Sequence, residues 1–531
     1  MAGLRLVILM LASLVAGCGA AAEPRPPEPP AEIVVAENSG AVKAATWRAA
    51  AQRAAAREAR RQAAIRRARA STTVAGALRL ARLTRRLTPA AYARLTREHA
   101  LARAALNRLS GPRASELGSV LATVDQLAAQ RLLSHDRLEP VFLVLRRNRE
   151  LWTRAPMPAP GERRTFGRDP AVFQYYPGRG IQLQPLASWG AVNWLAGSCL
   201  KGWCPVKRLR RAVERLAGLA ANRGAFLAWE HYFAWGGGTA PWISGMTQAT
   251  AVSALARAGR ALHEPRWHRV AHRALGAFQA PPPLGVDGGD HFLMYSFAPS
   301  LRIFNGELQA VSGVGEVARY ARDRTARRLF RRTEPPMRRM VAAADTGAWS
   351  LYSAAGREAT LSYHRLIAQF LENMCERTER RTYCAAGRRF ARYVREPTRI
   401  GVAPLRRLHA RRATTVRFSI SKVSSVKVRV FSRRGLAYSR ELELPYGAHT
   451  VAWTPPARGR YRVRIEAQGP SGPVGIASRR VAVRLPKPKP KKERRKGDRG
   501  GPRSATPGKD RKEAPKDEVL TPRTERERVS S

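Results

Sequence analysis

The chain has 531 residues and 44% hydrophobic content, enough for two or three domains with cores of their own. Lys and Arg number 96 against 39 Asp and Glu, and the resulting net charge of +57 excludes a preference for basic partners and favours polyanions: acidic polysaccharide, anionic lipid or nucleic acid. Pro486–Ser531 supplies 16 basic and 8 acidic residues, so most of the excess lies in the body of the chain; a compositional bias toward Arg and Ala would produce it equally well.

Leu6–Ala16 is an apolar run behind a basic start, of signal-peptide length and too short to span a bilayer. Val15-Ala16-Gly17-Cys18 resembles a lipobox, which implies cleavage before Cys18 and a lipid anchor. Residues 1–18 are therefore read as a lipoprotein signal peptide, and 19–40, rich in Pro, Ala and Glu, as an extended tether. An extracytoplasmic, membrane-anchored protein of the cell envelope is expected, and export argues against nucleic acid as a partner. No later segment offers an uninterrupted apolar run of about 18 residues, so no transmembrane span is expected. Cys199 and Cys204, then Cys375 and Cys384, form two local pairs, as short-loop disulfides in an oxidising compartment would. Spacing leaves their connectivity open, and a four-cysteine zinc site is the alternative, with gaps unlike the usual metal knuckles.

Residues 41–156 read as an Ala/Arg-rich helical region. Ala41–Arg69 has high helix propensity and little to pack. Val74, Leu78, Leu80, Leu83 and Leu87 recur at helical spacing, as do Leu117, Val120, Leu121, Val124 and Leu127, with a break at Ser110-Gly-Pro112. Ser134-His-Asp136 starts another helix ending near Trp152. Met157–Gly167 reads as a Pro/Gly linker. Phe173–Gly190 is dense in aromatic, Gly and amide residues and reads as a loop feeding a helix. Aromatic rings stack on apolar sugar faces and amides bond hydroxyls, so Gln182 and the Gly-flanked Arg179 are candidate ligand contacts; a packed, Gly-hinged core segment is the alternative.

From residue 157 to 400 helices alternate with Gly/Pro-rich loops: Val206–Ala221, Met246–Ala261, Pro265–Ala280, Asn305–Tyr320, Asp323–Arg332, Leu361–Met374 and Ala385–Tyr393. This suggests a mainly α fold, an α/α toroid in which helical hairpins form an incomplete barrel with the loops at one mouth. Residues 413–485 change to period 2 (Val416, Phe418, Ile420; Val426, Val428, Val430; Tyr461, Val463, Ile465) and read as a β-sandwich of immunoglobulin type with an accessory or binding role. Residues 486–531 read as a disordered basic tail.

Four blocks resemble the C-terminal domain of D-glucuronyl C5-epimerases: Pro241-Trp-Ile-Ser-Gly-Met-Thr-Gln248, Tyr295-Ser-Phe-Ala-Pro-Ser-Leu-Arg-Ile-Phe-Asn305-Gly306, Asp345-Thr-Gly-Ala-Trp-Ser-Leu-Tyr352 and Ser362-Tyr363-His364. The resemblance runs from about Phe173 to Tyr393 and implies the same toroid, with Tyr295, Tyr352 and Tyr363 at the positions of the family's proton-transferring tyrosines. Two residues depart from the pattern. Met294 stands where the family often has an acid, and the segment after Tyr352 lacks an Arg, although Arg357 is near.

The chemistry fits these residue types. The C5 hydrogen of a uronate is α to a carboxylate, so its removal needs a cation on the carboxylate and a base on one ring face, then an acid on the other. Arg179, Arg302 and His364 are candidate clamps, and Tyr352 with Tyr363 the candidate opposed pair, assisted by Tyr295. A phenol serves in either direction if nearby cations lower its pKa of about 10. Trp242, Gln248 and Asn305 complete the candidate sugar contacts, and Asp345 reads as ordering its turn. No metal or other cofactor is expected. The partners expected are an acidic polysaccharide, the membrane through the lipid anchor, and a second copy of the chain. A uronate lyase on the same toroid, and a non-catalytic lipid-anchored binder of acidic glycan, are the alternative functions.

Overall fold

The computed structural model describes residues 39–406 and 408–486; the readings placed on the signal segment, Cys18, most of the tether and the tail beyond Pro486 lie outside them. The chain divides into one unit ending at Arg66 and another beginning at Arg67. Most of helix α1 (Ser39–Ala70) belongs to the first, a continuous helix as its Ala and Arg content favours.

The second unit opens with α2 (Val74–Leu83), α3 (Pro89–Leu106), α4 (Gly111–Ala129) and α5 (His135–Arg154). The apolar spacing extends α2 to Leu87, but the helix ends at Leu83 and Arg85 adopts a positive φ of 57°. Thr88 then caps α3, accepting from the Ala91 amide, with Pro89 in its first turn. The expected linker at 157–167 carries β1 (Arg163–Arg164), which pairs with β2 (Phe173–Tyr175), itself paired with β3 (Ile181–Leu183) in a small antiparallel sheet where a loop was expected, and Phe166 packs edge-on against Phe173.

The helical layers follow: α6 (Pro185–Leu200), α7 (Val206–Ala217), α8 (Gly245–Ala261), α9 (Pro265–Ala274), α10 (Phe304–Tyr320), α11 (Arg324–Ala343), α12 (Leu361–Thr378) and α13 (Arg381–Tyr393). A hairpin of β4 (Ala221–Arg223) and β5 (Phe226–Ala228) separates α7 from α8. In succession α6 packs on α8, α8 on α10 and α10 on α12, while α7, α9, α11 and α13 each pack against the even-numbered helix before them. Sequence explains the two layers. α8 and α10 are buried nearly all round, whereas α7 and α13 bury one face and expose arginines on the other. Gly313 lets α10 approach α8, since a Cβ there would lie 2.6 Å from the Ala249 carbonyl oxygen. α11 runs through Pro335 and Pro336 to Ala343, well past the expected end at Arg332. The carbonyls left without donors belong to the exposed Arg331 and Arg332, where water can satisfy them.

One hydrophobic core runs from Val74 to Tyr393, so the N-terminal helices and the helical layers are a single body. Beyond it lie β6 (Ile400–Val402), β7 (Leu408–His409), β8 (Thr414–Ile420), β9 (Ser424–Ser432), β10 (Gly435–Leu444), β11 (Gly447–Trp453), β12 (Gly459–Gln468) and β13 (Val474–Arg484). They make a five-stranded sheet in the order β10-β9-β12-β13-β7 and a three-stranded sheet β11-β8-β6. Their alternating apolar residues, Val416, Phe418 and Trp453 from one sheet and Val428, Val430 and Ile465 from the other, close a second core. Cys199 is disulfide-bonded to Cys204, and Cys375 to Cys384. No described helix is long and apolar enough to cross a membrane.

Candidate functional site

Three separate segments deliver the tyrosines, each pinned to a helix start. Tyr295 bridges Ser244 at the entrance to α8, where the Gly245 amide donates to the Met294 carbonyl at 3.2 Å and the Ser296 amide to the Ile243 carbonyl at 2.9 Å. Only glycine fits at 245, because a Cβ there would fall 2.3 Å from the Leu293 carbonyl oxygen. Tyr352 accepts the Phe304 amide at 2.9 Å and donates its own amide to the Arg357 carbonyl at 2.6 Å, which ties it to the start of α10. Tyr363 lies in the first turn of α12, capped by Thr360.

These side chains meet. The rings of Tyr352 and Tyr363 are 4.9 Å apart and tilted by 47°. Tyr295 belongs to another wall, stacked on Phe297 at 5.3 Å and edge-on to Trp242 at 5.5 Å. A fourth phenol, Tyr176, joins them from the β2–β3 loop; it packs on Phe233 at 4.8 Å and Trp235 at 5.4 Å, and its hydroxyl accepts from Gln184 at 3.0 Å. Tyr176 is within electrostatic reach of Tyr295 and Tyr363, and Tyr352 of the same two. Burial, then the neighbouring phenols Tyr363 and Tyr295, hold Tyr352 well above the ordinary phenol range, against the weaker pull of Arg357. Burial likewise pushes Tyr176 up to about 12. The expected lowering by cations is therefore reversed for Tyr352: few cations face the cluster, and desolvation outweighs them. Tyr352 and Tyr363 lie side by side, which does not suit them as partners on opposite faces of one sugar.

Several candidate contacts are engaged in holding the fold. His364 is fully buried, bonded to the Ser350 hydroxyl at 2.7 Å and the Phe390 carbonyl at 2.9 Å, and stacked on Trp349 at 3.7 Å. Since Nε2 must donate to the carbonyl, Nδ1 accepts from Ser350 and the ring is neutral; burial lowers its pKa to about 4. It cannot be the carboxylate clamp. Arg302 is paired in bidentate fashion with buried Glu307 at 2.6 and 2.8 Å, which neutralises it. Both amide atoms of Gln248 bond the Trp229 backbone, and the Gln182 amide donates to the Arg179 carbonyl. Asn305 is buried in the first turn of α10. Trp242 is buried, its Nε1 bonded to the Phe233 carbonyl, and it forms the wall behind Tyr295. Arg179 donates Nε to the Ala234 carbonyl and makes no ion pair among the described residues. Asp345 orders its turn, accepting from the Gly347 amide, Arg389 and Tyr393.

Tyr176 and Glu116 were not among the candidate site residues, and Arg357 was noted only as lying near the position of a missing Arg. Tyr176 was within the aromatic–amide stretch, and its position before two glycines was the available signal. Arg357 lies 5.8 Å from the Tyr352 ring centroid, exposed and without an ion pair among the described residues. Glu116 of α4 had no sequence signal. It is buried and accepts from the Tyr175 hydroxyl at 2.8 Å and the Gly178 and Gly180 amides at 2.8 and 2.7 Å, so it shapes the loop that presents Tyr176 and Arg179. A cleft of about 640 Å³, lined by Arg137, Asn222, Arg223 and Pro241, shares Trp242 and Phe297 with the Tyr295 wall. Its two arginines are spent on buried Glu230. Among the described residues no group of three His, Cys, Asp or Glu could hold a metal.

Residues 223–392 match the family model described as D-glucuronyl C5-epimerase C-terminus. Tyr295, Tyr352 and Tyr363 fall inside this span, while Tyr176 and Arg179 precede it. Among solved structures the chain is similar to cellobiose 2-epimerase from Spirochaeta thermophila DSM 6192, with 15% identity and a TM-score of 0.33 over 54% of this chain and 73% of that one. It is also similar to a sugar epimerase from a ruminal bacterium, with 11% identity and a TM-score of 0.31 over 40% of this chain and 62% of that one. No curated protein matches.

Proposed function

We propose, on the match of residues 223–392 to the D-glucuronyl C5-epimerase C-terminus, that the protein is a carbohydrate epimerase that inverts C5 of uronate residues in an acidic polysaccharide. The observation that carries this reading is the convergence of three phenols from three segments of the matched span, with a fourth from outside it. The succession of α6, α8, α10 and α12 supports an incomplete α/α toroid for the helical layers, and the two packed sheets support an immunoglobulin-like sandwich for the C-terminal strands.

The positions suggest a division of labour. Tyr352 keeps its proton at neutral pH, and with Tyr363 beside it forms the donor side. Tyr295, on the wall with Trp242 and Phe297, is the group on the other side. In its ionised form it takes the C5 proton while the electron pair of the C–H bond moves into the uronate carboxyl group. Tyr352 then protonates C5 from the opposite face as the electron pair returns from the carboxyl group, Tyr363 reprotonates Tyr352, and exchange with water returns a proton to Tyr363 and removes the one on Tyr295. Arg357 and Arg179, neither in an ion pair among the described residues, are available to the substrate carboxylate, whereas Arg302 is neutralised by Glu307. The reaction needs no cofactor. Export as a lipoprotein anchored through Cys18 belongs to the same proposal, supported by the two disulfides.

Incubation with polyglucuronate in deuterated water tests the reading. Deuterium at C5 with unchanged chain length is expected; unsaturated ends absorbing in the ultraviolet would instead mark a lyase, and binding without either would mark a glycan-binding protein. Tyr295→Phe should stop label entering C5 of the starting glycan, whereas unchanged exchange would remove Tyr295 from the mechanism.

A further inference from the structure

The segment that carries Tyr352 is a tight loop. Leu351 bridges Glu358, the Ala359 amide donates to the Ser350 carbonyl at 2.9 Å, and Gly356 turns the chain at a φ of 84°. One arm bears Tyr352 and the other bears Arg357 and Glu358. The Tyr352 arm is tied to α10, but the other arm is tied to the C-terminal sheets. Glu358 Oε1 accepts the Val423 amide at 2.9 Å, in the turn between β8 and β9. Its Oε2 accepts the Tyr446 amide at 2.8 Å, in the turn between β10 and β11. One carboxylate thus bonds a turn that leaves each sheet.

A second tie lies below it. Lys422 is buried, donates to the Tyr393 and Glu396 carbonyls at 2.7 and 2.9 Å, and sits 5.1 Å from the Trp349 ring centroid. Trp349 donates Nε1 to the Ala359 carbonyl at 2.7 Å, at the base of the same loop. The interface between helices and sheets is therefore built around the two ends of one short segment. An accessory module needs only a linker; a buried lysine and a carboxylate with both oxygens engaged fix an orientation.

We propose that the sandwich is a working part of the tyrosine site, with Glu358 as a positioning residue that holds the Arg357 arm against Tyr352. This rests on the function proposed above for that site, and it assigns the C-terminal sheets a role other than glycan binding. The carboxylate does not reach the substrate; it acts through the backbone between residues 357 and 358.

Glu358→Ala and Glu358→Gln, in the full chain, are the test. Both should keep the far-ultraviolet circular dichroism of the parent. Amide hydrogen exchange in a peptide covering 350–360 should rise at least 10-fold in the alanine variant while α8 and α10 stay protected. The near-ultraviolet circular dichroism of Tyr352, read by difference against a Tyr352→Phe control, should change, because Arg357 is no longer held beside its ring. These two readouts need no substrate, so they stand whether or not the glycan reaction is found. With polyglucuronate, kcat should fall about 10-fold with little change in KM, and Arg357→Ala should add little to the Glu358→Ala loss. Unchanged exchange at 350–360 together with an unchanged near-ultraviolet signal of Tyr352 would overturn the proposal, as would losses from the two variants that simply multiply.

Discussion

Glu116→Ala measures how far the N-terminal helices build the site. Glu116 is 6% exposed, and its carboxylate receives three hydrogen bonds, from Tyr175 Oη and the amides of Gly178 and Gly180. A hydrogen bond to a charged group contributes about 1.5–3 kcal/mol, and a buried donor left without its acceptor costs about 1–3 kcal/mol. Gly180 and Tyr175 are buried, but Gly178 is exposed and can turn to water, so two of the three donors bear most of the loss. The expected destabilisation is about 3–5 kcal/mol, read as a lower urea midpoint at unchanged slope. Glu116→Gln keeps one carbonyl oxygen for Tyr175 and Gly178 but turns an N–H toward Gly180, and should cost about 1–3 kcal/mol. Either variant should also loosen Tyr176 from Trp235, visible as altered near-ultraviolet circular dichroism. A Glu116→Ala midpoint equal to that of the parent would refute this account of the loop.

Gly180→Ala should destabilise by more than about 1 kcal/mol, since φ is +68° and the added Cβ would lie 2.3 Å from Asn148 Oδ1; thermal melts check it. Removing the Cys375–Cys384 disulfide, which closes a separation of 9 residues, should cost about 2.5 kcal/mol by loop entropy, measured by urea denaturation of the double Ser variant. His364 is held neutral in the fold with its pKa lowered to about 4, so the unfolded chain binds the proton more readily. Its stabilisation is complete above pH 6.5 and is lost as pH falls toward 4; the unfolding free energy should fall by up to about 3 kcal/mol over that window, read as a lower urea midpoint, and a flat profile would contradict the buried neutral ring. Tyr363→Phe should sharply reduce inversion at C5 with its melting temperature within a few degrees of the parent, and inversion at the parent rate would remove Tyr363 from the proton path.

The helices and strands were legible where local signals carry them: Ser244 before α8, Ser134 before α5, and the period-2 runs of β8, β9 and β12. The end of α11 was not, because Pro335 and Pro336 matter only through the exposure of the carbonyls they leave free. The tyrosines could be named from their sequence blocks, but their grouping could not. That Tyr352 touches Tyr363, while Tyr295 stands with Trp242 on another wall, is a product of loop closure. Gln248, His364 and Arg302 looked like ligand contacts because polar residues beside a site are chemically ambiguous. Only the Trp229 backbone, the Phe390 carbonyl and the Glu307 carboxylate reveal that they are occupied. Glu116 and Glu358 gave no signal, since each acts on residues brought close by the fold, 59 or more positions away.

The central claim is proton exchange at C5 by the gathered phenols. The measurement that tests it most directly is nuclear magnetic resonance of a polyglucuronate incubated with the full chain in deuterated water, beside the Tyr352→Phe variant. The account predicts deuterium at C5, appearance of the inverted uronate and unchanged chain length with the parent, and no inversion with Tyr352→Phe. Absence of C5 deuterium with the parent, or equal inversion by both proteins, would contradict it.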